Sequence, residues 1–169
     1  MITFKILKNE NQMLKEKDFI IKVSKIYSTK PEYLCYLTYF LENFYKTHKN
    51  NFIVIAKEND NILSVARFEY KYSIDNLDMK NKVLITGLAT LEGFKNRGIA
   101  SKVLQKGIDK VLKDTPSFQI CLGVNKDNVI AINLYKKLGF ITEEKEQDID
   151  LPYFNKNFQI FMHYEKQGN

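Results

Sequence analysis

Arginine, cysteine and long apolar runs are all scarce in this 169-residue chain, and each scarcity narrows what the chain does. Of 26 basic side chains only Arg67 and Arg97 are arginine, so 24 are lysine. Faces that bind nucleic acid are usually built from clustered arginines, whose planar forks grip phosphate and base edges two bonds at a time. The net charge of +6 therefore reads as a solvated lysine surface, with general attraction to polyanions such as RNA as the weaker alternative. The two cysteines are Cys35, in a helical pattern, and Cys121, inside an apolar strand. Two such residues make neither a disulfide framework nor the spacing of a metal site, so both read as small core residues and no metal is expected. No apolar run approaches the ~20 residues that span a bilayer. The N-terminal stretch from Met1 to Lys8 has no extended apolar core of the signal-peptide kind. A cytoplasmic protein without a membrane partner is expected.

What is present is an ordered α/β chain. With 44% hydrophobic and 13% aromatic residues it has the means to bury a core. Its length suits one domain, residues 1–169, that buries roughly two-thirds of its unfolded surface. Residues 2–8 alternate apolar and polar as a strand does, and residues 12–27 read as an amphipathic helix. A second helix follows Ser28-Thr29-Lys30-Pro31-Glu32, with Leu34, Leu37, Leu41 and Phe44 at helical spacing. Strands at 51–57 and 62–72 meet at Glu58-Asn-Asp-Asn61, a hairpin signal. Val83–Leu91 is the central strand. A helix after Gly98, a strand at 118–124, a helix at 128–138 closed by Gly139, and strands near 140–146 and 157–164 complete the order β-α-α-β-β-β-α-β-α-β-β.

One junction stands out: Leu88-Ala-Thr-Leu-Glu-Gly-Phe-Lys-Asn-Arg-Gly-Ile-Ala-Ser101 runs from the central strand straight into a helix. A helix start leaves backbone N–H groups without partners and adds roughly half a positive charge. Gly98 and the small Ala100 let phosphate approach the main chain, and Lys95 and Arg97 flank the point with full charges. Two familiar phosphate loops do not fit. Gly93 and Gly98 have the gap of the nucleotide-triphosphate loop, but Ile99 stands where its lysine must be, and Gly-x-Gly-x-x-Gly is absent. Further on, the strand Phe118–Asn125 leads into Asn128, Ala131, Leu134, Tyr135, Gly139 and Phe140, spaced as Asn-x-x-Ala-x-x-Leu-Tyr-x-x-x-Gly-Phe.

Lys95-Asn-Arg-Gly-Ile-Ala100 resembles the Arg/Gln-x-x-Gly-x-Gly/Ala loop of the GNAT superfamily of N-acetyltransferases, with Lys95 in place of the usual Arg or Gln. The Asn128–Phe140 run is similar to that superfamily's second signature, every spacing intact. The resemblance covers residues 83–140 in motif detail and the whole chain in element order. It implies a GNAT-like acyl-CoA N-acyltransferase fold, with a mixed, mostly antiparallel central sheet flanked by helices. It also implies acetyl-CoA as cosubstrate and direct attack by an amine in a ternary complex. Leu88 and Thr90 would offer main-chain bonds to pantetheine. Lys95, Asn96, Arg97, Gly98, Ile99, Ala100 and Ser101 would hold the pyrophosphate. Tyr135 would stand beside the CoA sulfur as general acid. Asn128 would bond the cofactor or cap its helix.

Gly87 fits this picture, because glycine inside a strand marks a bulge or a close backbone approach; a bulge without a ligand is the plainer reading. Full proton transfer from an ordinary tyrosine, pKa about 10, to a thiolate, about 8.5, runs uphill by roughly 2 kcal/mol. Tyr135 therefore needs a lowered pKa or acts mainly by hydrogen bonding, and the second is preferred. No base is assigned: Val83–Leu91 contains no Asp, Glu or His, Glu69 would work only through water, Glu92 lies beside the phosphate loop, and His48 and His163 read as surface or strand residues. Tyr33, Tyr36, Tyr39 and Phe40 crowd the second helix beyond the needs of a core face. Glu143, Glu144, Glu146, Asp148 and Asp150 form an acidic patch that attracts a cationic amine or protects an edge strand. The acceptor expected is a small cationic amine or a protein amine. The alternatives are a toxin-like acetyltransferase of aminoacyl-tRNA and a non-catalytic acyl-CoA-binding module. A homodimer would be in keeping with such folds.

Overall fold

The computed structural model describes residues 1–25, 31–71, 81–142 and 157–166, without the side chains of Tyr33, Tyr36 and Lys71. Its elements are β1 (Ile2–Leu7), α1 (Glu10–Ser24), α2 (Pro31–Thr47), β2 (Phe52–Glu58), β3 (Asn61–Lys71), β4 (Lys82–Thr90), a 3₁₀ turn (Glu92–Phe94), α3 (Ile99–Asp114), β5 (Gln119–Asn125), α4 (Val129–Leu138), β6 (Phe140–Ile141) and β7 (Gln159–Tyr164). The expected order of strands and helices holds, and the 3₁₀ turn is new. The strands form one mixed sheet in the order β1-β2-β3-β4-β5-β7-β6. Antiparallel ladders join β1 to β2, β2 to β3, β5 to β7 and β6 to β7, whereas β4 and β5 run parallel. Among the described residues no helix is long and apolar enough to cross a membrane.

Two compact units divide the chain, and β3, β4 and α3 contribute to both. The first comprises Met1–Glu69 and Thr86–Lys110. In it α1 starts two residues earlier than its periodicity predicts, because Asn9 caps it. Asn9 Oδ1 accepts from the Gln12 N–H at 3.0 Å, and Gln12 Oε1 accepts from the Lys8 N–H at 2.7 Å. Met13, Ile20 and Val23 of α1 and Leu37, Leu41 and Phe44 of α2 share one core with Ile53, Ile55, Val65 and Ala89 of the strands. Phe52 and Phe68 project from the opposite sheet face and stack with centroids 4.7 Å apart. Residues 52–56 are buried without alternation, as expected of a strand covered on both faces.

Two expectations are corrected here. Cys35 is exposed rather than core. It lies two residues from Leu37, about 200° around the helix from the buried stripe. His48 is buried in the loop after α2, only 5% exposed, rather than at the surface. Ser28, Thr29 and Lys30 ahead of α2 and the acidic patch at Glu143, Glu144, Glu146, Asp148 and Asp150 lie outside the described residues.

The second unit comprises Tyr70–Ile85 and Val111–Asn169. Val83 and Ile85 of β4 pair with Ile120 and Leu122 of β5, and β5 pairs with β7 from Cys121↔His163 to Asn125↔Gln159. The ring of Phe140 sits edge-on between Tyr135, at 5.9 Å, and Tyr164, at 5.5 Å. Gly139 ends α4 at φ 102, the left-handed value that a closing glycine supplies.

Candidate active site

In the first unit, the part of β4 from Thr86 on, the 3₁₀ turn and the start of α3 form one continuous run that carries most of the sequence-derived site. The β4–β5 ladder covers Lys82–Ile85 and stops. Two residues later Gly87 takes φ 60, a left-handed value inside a strand. Beyond it the chain runs antiparallel to β3. The Leu91 N–H donates to Leu63 O at 2.9 Å, and the Ser64 hydroxyl donates to Ala89 O at 2.9 Å. Backbone groups alternate along such a strand. Ala89 and Leu91 therefore face β3, and the N–H and C=O groups of Leu88 and Thr90 face away from it. The Thr90 side chain is already used, sharing a hydrogen bond with Ser64 at 2.8 Å. Its main-chain groups, rather than its side chain, are the ones left facing away from β3.

The loop that follows is shaped by two left-handed residues, Asn96 at φ 60 and Gly98 at φ 71, with Arg97 between them at negative φ. Such alternation turns successive N–H groups toward one concavity, a form that binds anions. A Cβ on Gly98 would meet nothing within 4 Å, so conformation and not space calls for glycine here. The first helical bond of α3 runs from the Lys102 N–H to Gly98 O at 3.2 Å. The N–H groups of Ile99, Ala100 and Ser101 thus have no acceptor within the helix. The side chain of Ile99 is buried, 3% exposed, and anchors the helix while leaving its N–H at the loop. Lys95 forms an ion pair with Glu92, and the Arg97 guanidinium stands over the Phe94 ring at 5.1 Å. Both cations are exposed.

In the second unit, Asn128 caps α4: its Oδ1 accepts from the Ala131 N–H at 3.1 Å. Its amide NH2 makes no bond among the described residues. Tyr135 is 7% exposed, and burial pushes its phenol up to about 12. Its hydroxyl also has no hydrogen-bond partner among the described residues.

Three of the candidate bases, Glu69, His48 and His163, are buried. Glu69, 5% exposed, takes a hydrogen bond from the Thr86 hydroxyl. His48 accepts from the Asn50 N–H through Nδ1 at 3.0 Å, and burial lowers its pKa. His163, also 5% exposed, faces Cys121 across the β5–β7 ladder. A cluster the sequence reading passed over lies at Gly87: Arg67, Thr86 and Phe40 meet there from β3, β4 and α2. The one available signal was that Arg67 is one of only two arginines.

Residues 18–140 match the model of the Acetyltransferase (GNAT) family. The chain belongs to the GNAT family. Among curated relatives of this GNAT acetyltransferase, the N-alpha-acetyltransferase of Saccharolobus solfataricus is 30% identical over 133 residues, 77% of each chain. That of Sulfolobus acidocaldarius is 32% identical over 133 residues, 75% of each. Of solved structures, PH1933 from Pyrococcus horikoshii superposes with a TM-score of 0.71 at 20% identity, over 98% of this chain and 99% of that one. The PaiA N-acetyltransferase of Thermoplasma acidophilum, solved in complex with coenzyme A, gives 0.66 at 15% identity over 97% and 99%. These structures share its fold, and the family makes it an acetyltransferase whose implied cosubstrate is acetyl-CoA.

Proposed function

We propose that residues 1–169 act as one domain that moves the acetyl group of acetyl-CoA to the α-amine of a protein or peptide, by direct attack in a ternary complex. The observation that carries this reading is the run from Leu88 to Ser101. It sets outward-facing strand groups and an N–H-lined anion loop in sequence, in the order that a thioester arm ending in a pyrophosphate requires. Lys95 and Arg97 add charge at the same end. The curated relatives' name favours an α-amine over the small cationic amine that the sequence also allowed.

The chemistry favours it too. An α-amine has a pKa of about 7.7–8.0 against about 10.4 for a lysine side chain, so much of it is already neutral near neutral pH. A site with no acid or imidazole on β4 suits an acceptor that needs little help in losing its proton. An N–H of β4 next to Gly87 stabilises the oxyanion that forms on the thioester carbonyl oxygen, and the proton shed by the attacking nitrogen passes to water. Tyr135 then donates a hydrogen bond to sulfur as charge gathers there. Giving up its proton outright, from about 12 to a thiol of about 8.5, would run uphill by about 5 kcal/mol. The lowered-pKa alternative has the wrong sign in a buried ring.

The test is release of CoA thiol from acetyl-CoA across a panel of a peptide with a free N-terminus, the same peptide blocked, lysine, spermidine and charged tRNA. Release with the free N-terminus alone supports the reading. Release with spermidine or charged tRNA instead replaces it.

A further inference from the structure

Arg67 is a half-buried cation with no anion to match it among the described residues. Its Nε donates to Thr86 Oγ1 at 3.3 Å, and its Cζ lies 4.6 Å from the centroid of the Phe40 ring. Neither terminal nitrogen has a partner among the described residues, and no carboxylate there forms an ion pair with it. Glu69 is linked to it at one remove, because the same Thr86 hydroxyl donates to the Glu69 carboxylate. Withdrawing a guanidinium partly from water without a counter-charge is unfavourable, and an incoming anion reverses that.

The group is also held in place. A Cβ on Gly87 would fall 2.6 Å from both Cζ and Nη2 of Arg67, so the guanidinium occupies the space that glycine leaves open. Phe40 stands at its ring-stacking distance, and Thr86 fixes one edge. An immobilised fork whose two terminal nitrogens are unspent among the described residues is the form that binds a carboxylate through paired bonds.

We propose that Arg67 is the specificity-determining residue for the acceptor, its terminal nitrogens binding an acidic side chain on the acceptor's first residue. The assignment rests on the reading of β4 above. If the acetyl group is delivered beside Gly87, the attacking α-amine brings its own side chain within a few ångströms of Arg67. A cationic acceptor would instead meet like charge there.

Two peptides that differ only in a first Glu or a first Gln test it, in steady-state kinetics with acetyl-CoA. The Glu peptide should have the lower KM, by about tenfold to a hundredfold, the range of a charge-assisted hydrogen bond. Arg67→Gln should erase that preference while the KM of the Gln peptide and acetyl-CoA binding stay within about twofold, and Arg67→Lys should keep part of it. Added salt should narrow the gap in the native protein. Equal KM values for the two peptides in the native protein overturn the proposal and leave the proposed function standing. So does an equal loss for both peptides in Arg67→Gln, which marks a structural role. Transfer to neither peptide by protein that binds acetyl-CoA overturns the proposed function and this assignment with it.

Discussion

The ring of Phe68 fills the space that a side chain on residue 107 would need. A Cβ built on Gly107 falls 2.0 Å from Phe68 Cζ and 2.2 Å from Cε2. This explains a glycine in the middle of α3, where alanine would favour the helix by roughly 1 kcal/mol. Phe68 is fully buried and stacked on Phe52, so it has nowhere to go. Gly107→Ala should therefore lower stability by about 1–2 kcal/mol, overpacking outweighing propensity. Urea denaturation followed by fluorescence or circular dichroism measures it, and a more stable variant would show that the stack yields.

The order of elements was legible because apolar periodicity and turn residues mark it: Leu37, Leu41 and Phe44 for α2, Gly139 for the end of α4. Boundaries followed caps. Asn9 moved the start of α1, and no periodicity reveals that. The turn from β4 into α3 was legible because its residues are contiguous, and local spacing is all that a helix start needs. Arg67 was not, since it lies on β3 while its neighbours come from α2 (Phe40) and β4 (Thr86 and Gly87), and the three elements meet only once the chain is folded. Cys35 misled for a related reason: helical pattern alone does not say which side of a short residue the core occupies.

Tyr135→Phe should cut kcat at least about tenfold, the lower range for losing a hydrogen bond to developing charge. Acetyl-CoA binding should barely change, because the ring and its contact with Phe140 remain. The pH dependence follows from the sign of the shift. Burial raises the phenol to about 12, and the protonated form is the active one. Tyr135 thus stays competent up to about pH 11, and its loss enters only as pH rises through about 12. A native rate profile with a falling limb near pH 8–9 that Tyr135→Phe removes would contradict this.

Gly98→Ala isolates the loop's conformation from its space. Nothing stands within 4 Å of the added Cβ, yet φ 71 disfavours it by about 1–2 kcal/mol. The strain relaxes by turning the N–H groups of the loop, so the KM for acetyl-CoA should rise about tenfold while the KM of the amine holds. An unchanged acetyl-CoA KM would mean that the charges of Lys95 and Arg97 dominate over the backbone. The control is Lys95→Ala, which removes a charge already paired with Glu92 and should raise that KM only about twofold.

Asn128 has two possible uses, and its two side-chain atoms separate them. Oδ1 caps α4, whereas the amide NH2 is unspent among the described residues. Asn128→Ala removes both and should cost about 1 kcal/mol of stability. Asn128→Asp keeps the capping oxygen, and its negative charge suits a helix start, so stability should return to the native value. The same change replaces a donor by an anion. If the amide serves acetyl-CoA, Asn128→Asp binds it at least about fivefold more weakly despite native stability, by loss of a donor and repulsion of a negative ligand. If Asn128 is a cap alone, stability and acetyl-CoA affinity recover together. Denaturation and acetyl-CoA titration on the same two variants decide between these, because a cap moves both quantities in step and a ligand contact does not.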